Sequence, residues 1–362
     1  MTNLLMILLL VPIYLATIFI PYWTRRTESF GVTIPEGVYF NEPLKKLRKD
    51  YVTATSLLSI LLTIIFFLIS QGQTEETVTN LFVIATFAYL FISFFVYLFF
   101  HRKMKQMKQT SNWKVDETQE IIISTSFRKE KLIYSNLWFS ISFAITAVVV
   151  LYTLKNYHLF PEQIPLQYNF SGEVTNWAEK SYRSVLALPA TQLYMIVIFL
   201  FVNTMIQRAK QQIDEASAES IKRNVIFRRR WSMFLIITGN STVALLAFIQ
   251  LTMLHPIDQK VMMLVPLIYT FGILGYAIYL SFKTGQGGSR ISKVKGKDGE
   301  TINRDDDRYW KLGIFYFNPE DPTLFLEKRF GVGWTINFAR PLAWMIMIVI
   351  IGLAILIPLI LT

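Results

Sequence analysis

The sequence predicts an all-α integral membrane protein of about eight transmembrane helices, with small β- and turn-rich cytosolic segments. Three observations carry that expectation. Hydrophobic residues fill 53 % of the 362 positions and aromatic ones 15 %, a balance that suits a bilayer better than water. Apolar runs near the ~20 residues of helix that cross a ~30 Å hydrocarbon core recur along the chain. They lie at 3–22, 52–70, 79–100, 136–154, 185–206, 232–254, 261–282 and 341–361. Lysine and arginine gather at the ends of those runs, in alternate connections.

That clustering also accounts for the formal net charge of +11, which in a soluble chain would suggest nucleic acid. Membrane orientation is the simpler reading, and no nucleic-acid partner is expected. With no cysteine there is no disulfide, thiolate nucleophile or iron–sulfur ligand. The three histidines, His101, His158 and His255, are far apart in sequence, so neither a metal centre nor any other cofactor is expected. The opening run, Asn3 to Ile20, has no preceding basic residues and no small-x-small cleavage signal, and reads as a retained helix.

The basic residues set the orientation. Arg25, Arg26, Lys45, Lys46, Arg48 and Lys49 follow the first run, whereas Gln71 to Asn80 holds no base and carries Glu75 and Glu76. The connection after the third run is basic from Arg102 to Lys131, and so is the one after the fifth, from Arg208 to Arg230. Between them, the stretch after the fourth run has only Lys155, Lys180 and Arg183; the sixth-to-seventh connection has only Lys260, and the seventh-to-eighth has eleven bases. This ladder predicts a multi-pass protein of the cell membrane with both termini outside, so that residues 164–180 face the exterior.

Five segments follow from these runs: a three-helix region over 1–135, a helix pair with an exterior motif loop over 136–206, a cytosolic amphipathic helix and two spans over 207–282, a cytosolic aromatic domain over 283–340, and a last span over 341–362. Phe30 to Glu36 is too short and too punctuated by Pro and Gly for a domain. Glu120 to Ser126 suits one short strand. Gln207 to Arg230 reads as a helix with Ile206, Ile213, Ile221 and Val225 on one face. Gly285 to Arg290 reads as a flexible linker, because no phosphate-loop Gly-Lys-Ser/Thr accompanies its glycines.

None of the eight runs contains Asp, Glu, Lys, Arg or His, which argues against an ion-coupled pump or an intramembrane protease. Uncharged polar residues do occur: Gln192, Asn203, Asn240 and Gln250. Hydrogen bonding between helices is the expected role, with a substrate path as the alternative. Pro189 and Pro266 are expected to kink their helices.

Two polar motifs stand out. The first joins Ile164-Pro165 to Gln167, Asn169, Ser171-Gly172, Trp177 and Lys180, a turn-rich cap in which Lys180 can pair with Glu173 or Glu179. The second starts at Asp305-Asp306-Asp307 and carries Arg308, Trp310, Asn318, Arg329, Gly331 and Trp334. Its acidic residues read as a solvated turn paired with Arg304 and Arg308, Arg329 and Arg340 as partners for lipid phosphates, and Trp334 as an anchor at the bilayer surface.

The pattern Ile164-Pro165-x-x-x-Asn169-x-x-Gly172, closed by Trp177 and Lys180, resembles a short domain of uncharacterised function. That domain occurs in the immunity protein of the sporulation-delaying toxin system and in related bacterial multi-pass membrane proteins. Its typical motif is Ile-Pro-x-His-x-x-x-x-Gly, and here Gln167 replaces the histidine, so no role resting on imidazole carries over. The resemblance covers roughly residues 140–205, and the second motif looks like a C-terminal domain that accompanies the first in larger relatives.

The expected function is a non-enzymatic membrane sensor or immunity-type protein. Its exterior loop would meet a peptide toxin, another envelope ligand or membrane lipid, and a cytosolic regulatory protein would receive the signal. A transporter or lipid-handling protein with an uncharged polar path is the alternative. A hydrolase using Ser or Thr lacks a general base.

Overall fold

A computed structural model describes residues 2–111, 113, 130–169, 172–210, 218–291 and 306–361. The expected strand at 120–126 lies outside them, as do Ile213, Ser171, Arg304 and Asp305. The long helices are α1 (Thr2–Trp23), α2 (Glu42–Ser70), α3 (Glu75–Thr110), α4 (Ser140–Lys155), α6 (Ala187–Arg208), α7 (Ala218–Thr252), α8 (Gln259–Thr284) and α9 (Pro341–Leu361), with a short α5 (Tyr182–Val185) before α6. Among the described residues, seven helices are long and apolar enough to cross a membrane. These seven correspond to the first seven predicted spans; in α9 the described apolar stretch, Pro341–Ile357, is shorter.

Several helices outrun their apolar segments. α2 starts at Glu42 and carries Lys45, Lys46, Arg48 and Lys49 before its apolar part, while α3 continues through the basic stretch beyond His101. Glu, Lys, Arg and Gln are good helix formers, so a span can extend into water without a cap at the membrane surface. The amphipathic helix expected before the sixth span is the start of α7 and continuous with it, with Val225 buried and Ile221 half-buried. Pro266 sits inside α8 as expected, but Pro189 falls in the first turn of α6, where its missing N–H costs no helical hydrogen bond.

The chain forms two compact units: Met1–Lys131 with Ala209–Phe227 and Gly275–Ala343, and Leu132–Arg208 with Arg228–Leu274 and Trp344–Thr362. Among the described residues the first holds three small antiparallel pairs, β1 (Glu28–Ser29) with β2 (Val32–Thr33), β5 (Trp310–Lys311) with β6 (Phe315–Tyr316), and β7 (Phe325–Glu327) with β8 (Trp334–Ile336). Its core forms where the segment 30–34, too short for a domain of its own, inserts Phe30, Val32 and Ile34 among Tyr51, Tyr97, Phe100 and Phe330. Gly31 makes this possible: at φ +75° it passes so near the Gly313 backbone that a Cβ would lie 2.4 Å from the Gly313 carbonyl oxygen.

The second unit is anchored on Phe139, Ile196, Ile236 and Val243. Its one described sheet is the pair β3 (Gln163–Tyr168) and β4 (Val174–Glu179).

Candidate functional site

The first motif, expected as a turn-rich cap, folds as a hairpin. β3 pairs with β4 from Gln163↔Glu179 through Pro165↔Trp177 to Gln167↔Asn176 and Tyr168↔Val174, with irregularities on either side of Gln167. Asn169 organises the turn: its Oδ1 accepts from the Glu173 N–H at 2.8 Å and its Nδ2 donates to Glu173 Oε2 at 3.0 Å. Gly172 follows at φ +82°, a conformation in which an added Cβ would lie 2.5 Å from the Gln259 side chain. Lys180 does not pair with Glu173 or Glu179. It lies 3.3 Å from Glu162 and 5.4 Å from the centre of the Tyr157 ring, because the ladder closes with its N–H on the Glu162 carbonyl.

The base of the hairpin is buried and its outer part is not. Phe160, Ile164 and Val185 form a small core with Leu166, Leu186, Met253 and Leu254 packed around it, and Pro165 is buried as well. Beyond that point Gln167, Asn176 and Thr175 are exposed and Tyr168 is 38 % exposed, while Trp177, opposite Pro165, is 49 % exposed.

The four polar residues of the apolar helices are all hydrogen-bonded within this unit. Asn203 donates to Asn136 Oδ1 and the Tyr134 carbonyl and accepts from the Ser232 hydroxyl at 2.7 Å. Asn240 accepts from the Ser142 hydroxyl at 2.6 Å and donates to the Trp138 carbonyl. Gln192 donates to the Val243 carbonyl, and Gln250 to Thr153 Oγ1 and the Val185 carbonyl. This is the pattern of bonds that tie apolar helices together. The Oε1 atoms of Gln192 and Gln250 remain buried without a partner.

The second motif is an ionic knot and not a solvated turn. Arg329, 2 % exposed, reaches both Asp306 and Asp307, bonds Thr33 Oγ1 at 2.8 Å and lies over the Trp310 ring at 5.1 Å. Lys108 holds the second oxygen of Asp307 at 2.7 Å. A guanidinium this deeply buried needs anionic partners, which is why Arg329 pairs internally instead of meeting lipid. Burial acts to raise the Asp307 carboxyl, but Arg329 and Lys108 outweigh it and hold it below the ordinary value. Arg308, expected to pair with the acidic run, instead donates to the Tyr309 hydroxyl at the surface.

The same unit satisfies its other motif residues. The Asn337 side chain accepts from the Asn318 N–H and donates to the Asn318 carbonyl, and Tyr316 donates to Asp321 at 2.8 Å. Burial works to raise the Asp321 carboxyl; bonds from Lys210, Thr323 and Tyr316 override it and hold it at about 2. Arg340 donates to the Asp321 carbonyl. Gly331 N–H bonds Thr24 Oγ1, and Trp334 packs on Phe227 at 5.4 Å, in contact with the fold where an anchor had been expected. The expected linker is packed too: Gln286, fully buried, bonds the carbonyls of Lys328 and Gly333 and the Gly333 N–H.

Sequence reading missed Glu28, Glu327 and Asn224. Glu327 meets Arg25 and accepts from Asn224 Nδ2 at 2.9 Å. Burial pushes the Glu28 carboxyl up to about 7 against the pull of Arg25 and Arg329. No spacing rule links positions 28, 224 and 327; only the tertiary fold brings them into one unit. Among the described residues, no three His, Cys, Asp or Glu side chains converge as a metal site.

A domain of unknown function, DUF1648, matches residues 144–193, the segment that contains the hairpin. A family of unknown function, DUF5808, matches residues 319–344. No curated protein and no solved structure matches the chain.

Proposed function

We propose that this multi-pass membrane protein is a non-enzymatic sensor or immunity-type protein that recognises a peptide, an envelope component or a lipid through the β3–β4 hairpin. One observation carries the reading: the hairpin buries Ile164 and Pro165 at its base yet leaves Trp177, opposite Pro165, and Tyr168, nearer the turn, exposed beside polar Gln167 and Asn176. Among the described residues β3 and β4 pair only with each other. Aromatic side chains beside unpaired ladder edges suit an extended peptide that adds as a further strand, or the interfacial region of a membrane.

The charge ladder supports an exterior hairpin. The motif's likeness to the toxin-immunity domain supports a peptide ligand. For occupancy to reach the cytosolic connections and a regulatory protein there, the ligand must bind two arrangements of the bundle unequally. The hydrogen bonds of Gln192, Asn203, Asn240 and Gln250 favour scaffold over transport path.

Photo-crosslinking in living cells from position 175, on the exposed hairpin, is the test. The expected result is an adduct to a discrete peptide, envelope polymer or lipid that falls with Trp177→Ala at unchanged protein level. No adduct, or the same adducts from position 76 and after Trp177→Ala, overturns the proposal.

A further inference from the structure

A cleft of about 370 Å³ opens in the first unit where α1 ends, α2 begins and the turn after α8 passes. Arg26, Lys45, Arg48 and Arg290 line it, and among the described residues no carboxylate does. Two of these cations are answered nearby: Arg26 lies 3.8 Å from Glu36, and Lys45 2.7 Å from Glu42. The other two are not. Arg48 is only 3 % exposed, donates Nη2 to the Tyr39 carbonyl at 2.7 Å and lies over the Tyr39 ring at 3.9 Å. Its Nε and Nη1 are buried without a hydrogen-bond partner. Arg290 donates to the Tyr22 carbonyl and, among the described residues, has no carboxylate at ion-pair distance. Ser289 adds a buried hydroxyl that also lacks a partner.

A buried guanidinium without a counter-charge is costly, and folded chains keep such groups paired. Here Arg48, with two guanidinium nitrogens unmet, Ser289 and Arg290 line one basic volume. Arg forks match oxyanions, and these donors outnumber the two oxygens of a carboxylate. Burial also lowers the Arg290 guanidinium from its ordinary value, the direction expected of a cation short of negative charge.

We infer that this cleft binds a phosphate group, with the Arg48 guanidinium and the Ser289 hydroxyl as its donors and Arg290 supplying the second positive charge. The site is independent of the hairpin. Phosphate reaches such a position from two sources. Lipid headgroups lie at the level where apolar helices end, and a soluble phosphate can enter from water.

The full chain, purified in neutral detergent, tests this by thermal unfolding against inorganic phosphate, glycerol 1-phosphate and, after transfer to nanodiscs, phosphatidylglycerol set against phosphatidylcholine. The expected result is a saturable rise in Tm with a phosphate-bearing probe that chloride at equal ionic strength does not reproduce. Arg290→Gln and Arg48→Gln weaken it about tenfold, the scale of losing a charged hydrogen bond, while the surface variant Arg308→Gln leaves it intact. A response to the soluble probes assigns a free phosphate, and one to phosphatidylglycerol alone assigns the headgroup. Because Arg48→Gln removes a buried group and can unfold the chain, Arg290→Gln and Ser289→Ala carry the test by themselves. No phosphate-specific shift with any probe, or the same shift in both of those variants, overturns the inference.

Discussion

Two short antiparallel ladders use opposite chemistry. β7–β8 sits among buried charge: Glu327 is fully buried against Arg25, and Arg329, two residues on, is tied to Asp306 and Asp307. β3–β4 contains no buried charge and leaves Trp177 and Tyr168 exposed. Buried ion pairs fix one geometry and tolerate little change, whereas exposed aromatics add little to folding and remain open to another molecule. The proposed function rests on this contrast, with a structural part for the first ladder and contact for the second.

The largest expected effect breaks the ionic ladder. Arg329→Met leaves Asp306 and Asp307 without their shared guanidinium and should cost about 3–5 kcal/mol in thermal or denaturant unfolding. The triple change with Asp306→Asn and Asp307→Asn should recover much of that, since the carboxylates then carry no charge. A single variant as stable as the parent would remove Arg329 from the account.

Next comes Asp321. Its carboxyl, held at about 2 from an ordinary 3.8, adds stability that is present above pH 4 and lost as pH falls through 2. Asp321→Asn should therefore cost about 2 kcal/mol at pH 6 and flatten that part of the acid limb. Glu28 has the opposite sign. With its carboxyl raised from 4.5 to about 7, stability is fully present below pH 4.5 and declines as pH rises through 7. Glu28→Gln should then gain about 1 kcal/mol relative to the parent at pH 8 and nothing at pH 4, as read from paired melts.

The hairpin changes are smaller. Gly172→Ala forces a side chain into the left-handed region and should cost about 1 kcal/mol. Trp177→Ala should cost under about 0.5 kcal/mol while abolishing crosslinking from position 175. If Trp177→Ala destabilises as much as Arg329→Met, the contrast between the ladders fails.

Much of the fold was legible because a bilayer imposes a single strong rule on sequence. The runs that became α1 to α4 and α6 to α8 are visible as apolar stretches, and the hydrogen-bonding roles of Asn203 and Asn240 followed from where those stretches hold polar groups. Helix ends were less legible, since Glu42 to Lys49 and His101 to Thr110 are helical without being apolar. The ionic unit was hidden because its partners are far apart in sequence: Thr33 with Asp307 and Arg329, Lys108 with Asp307, Lys210 with Asp321. Arg329 and Gln286 looked like surface residues for the same reason, since composition marks a charge or an amide but not what meets it. At the hairpin the residues were identified but their pairing was not, because Pro165 and Gly172 signal turns more strongly than the short strands signal a ladder.

The account depends most on the hairpin facing out of the cell. As the chain has no cysteine, Thr175→Cys and Lys311→Cys, both at exposed positions, can each be labelled in intact cells with a membrane-impermeant maleimide. Labelling at 175 with protection at 311 until the cells are opened is the expected result. Protection at 175 with free labelling at 311 would contradict it.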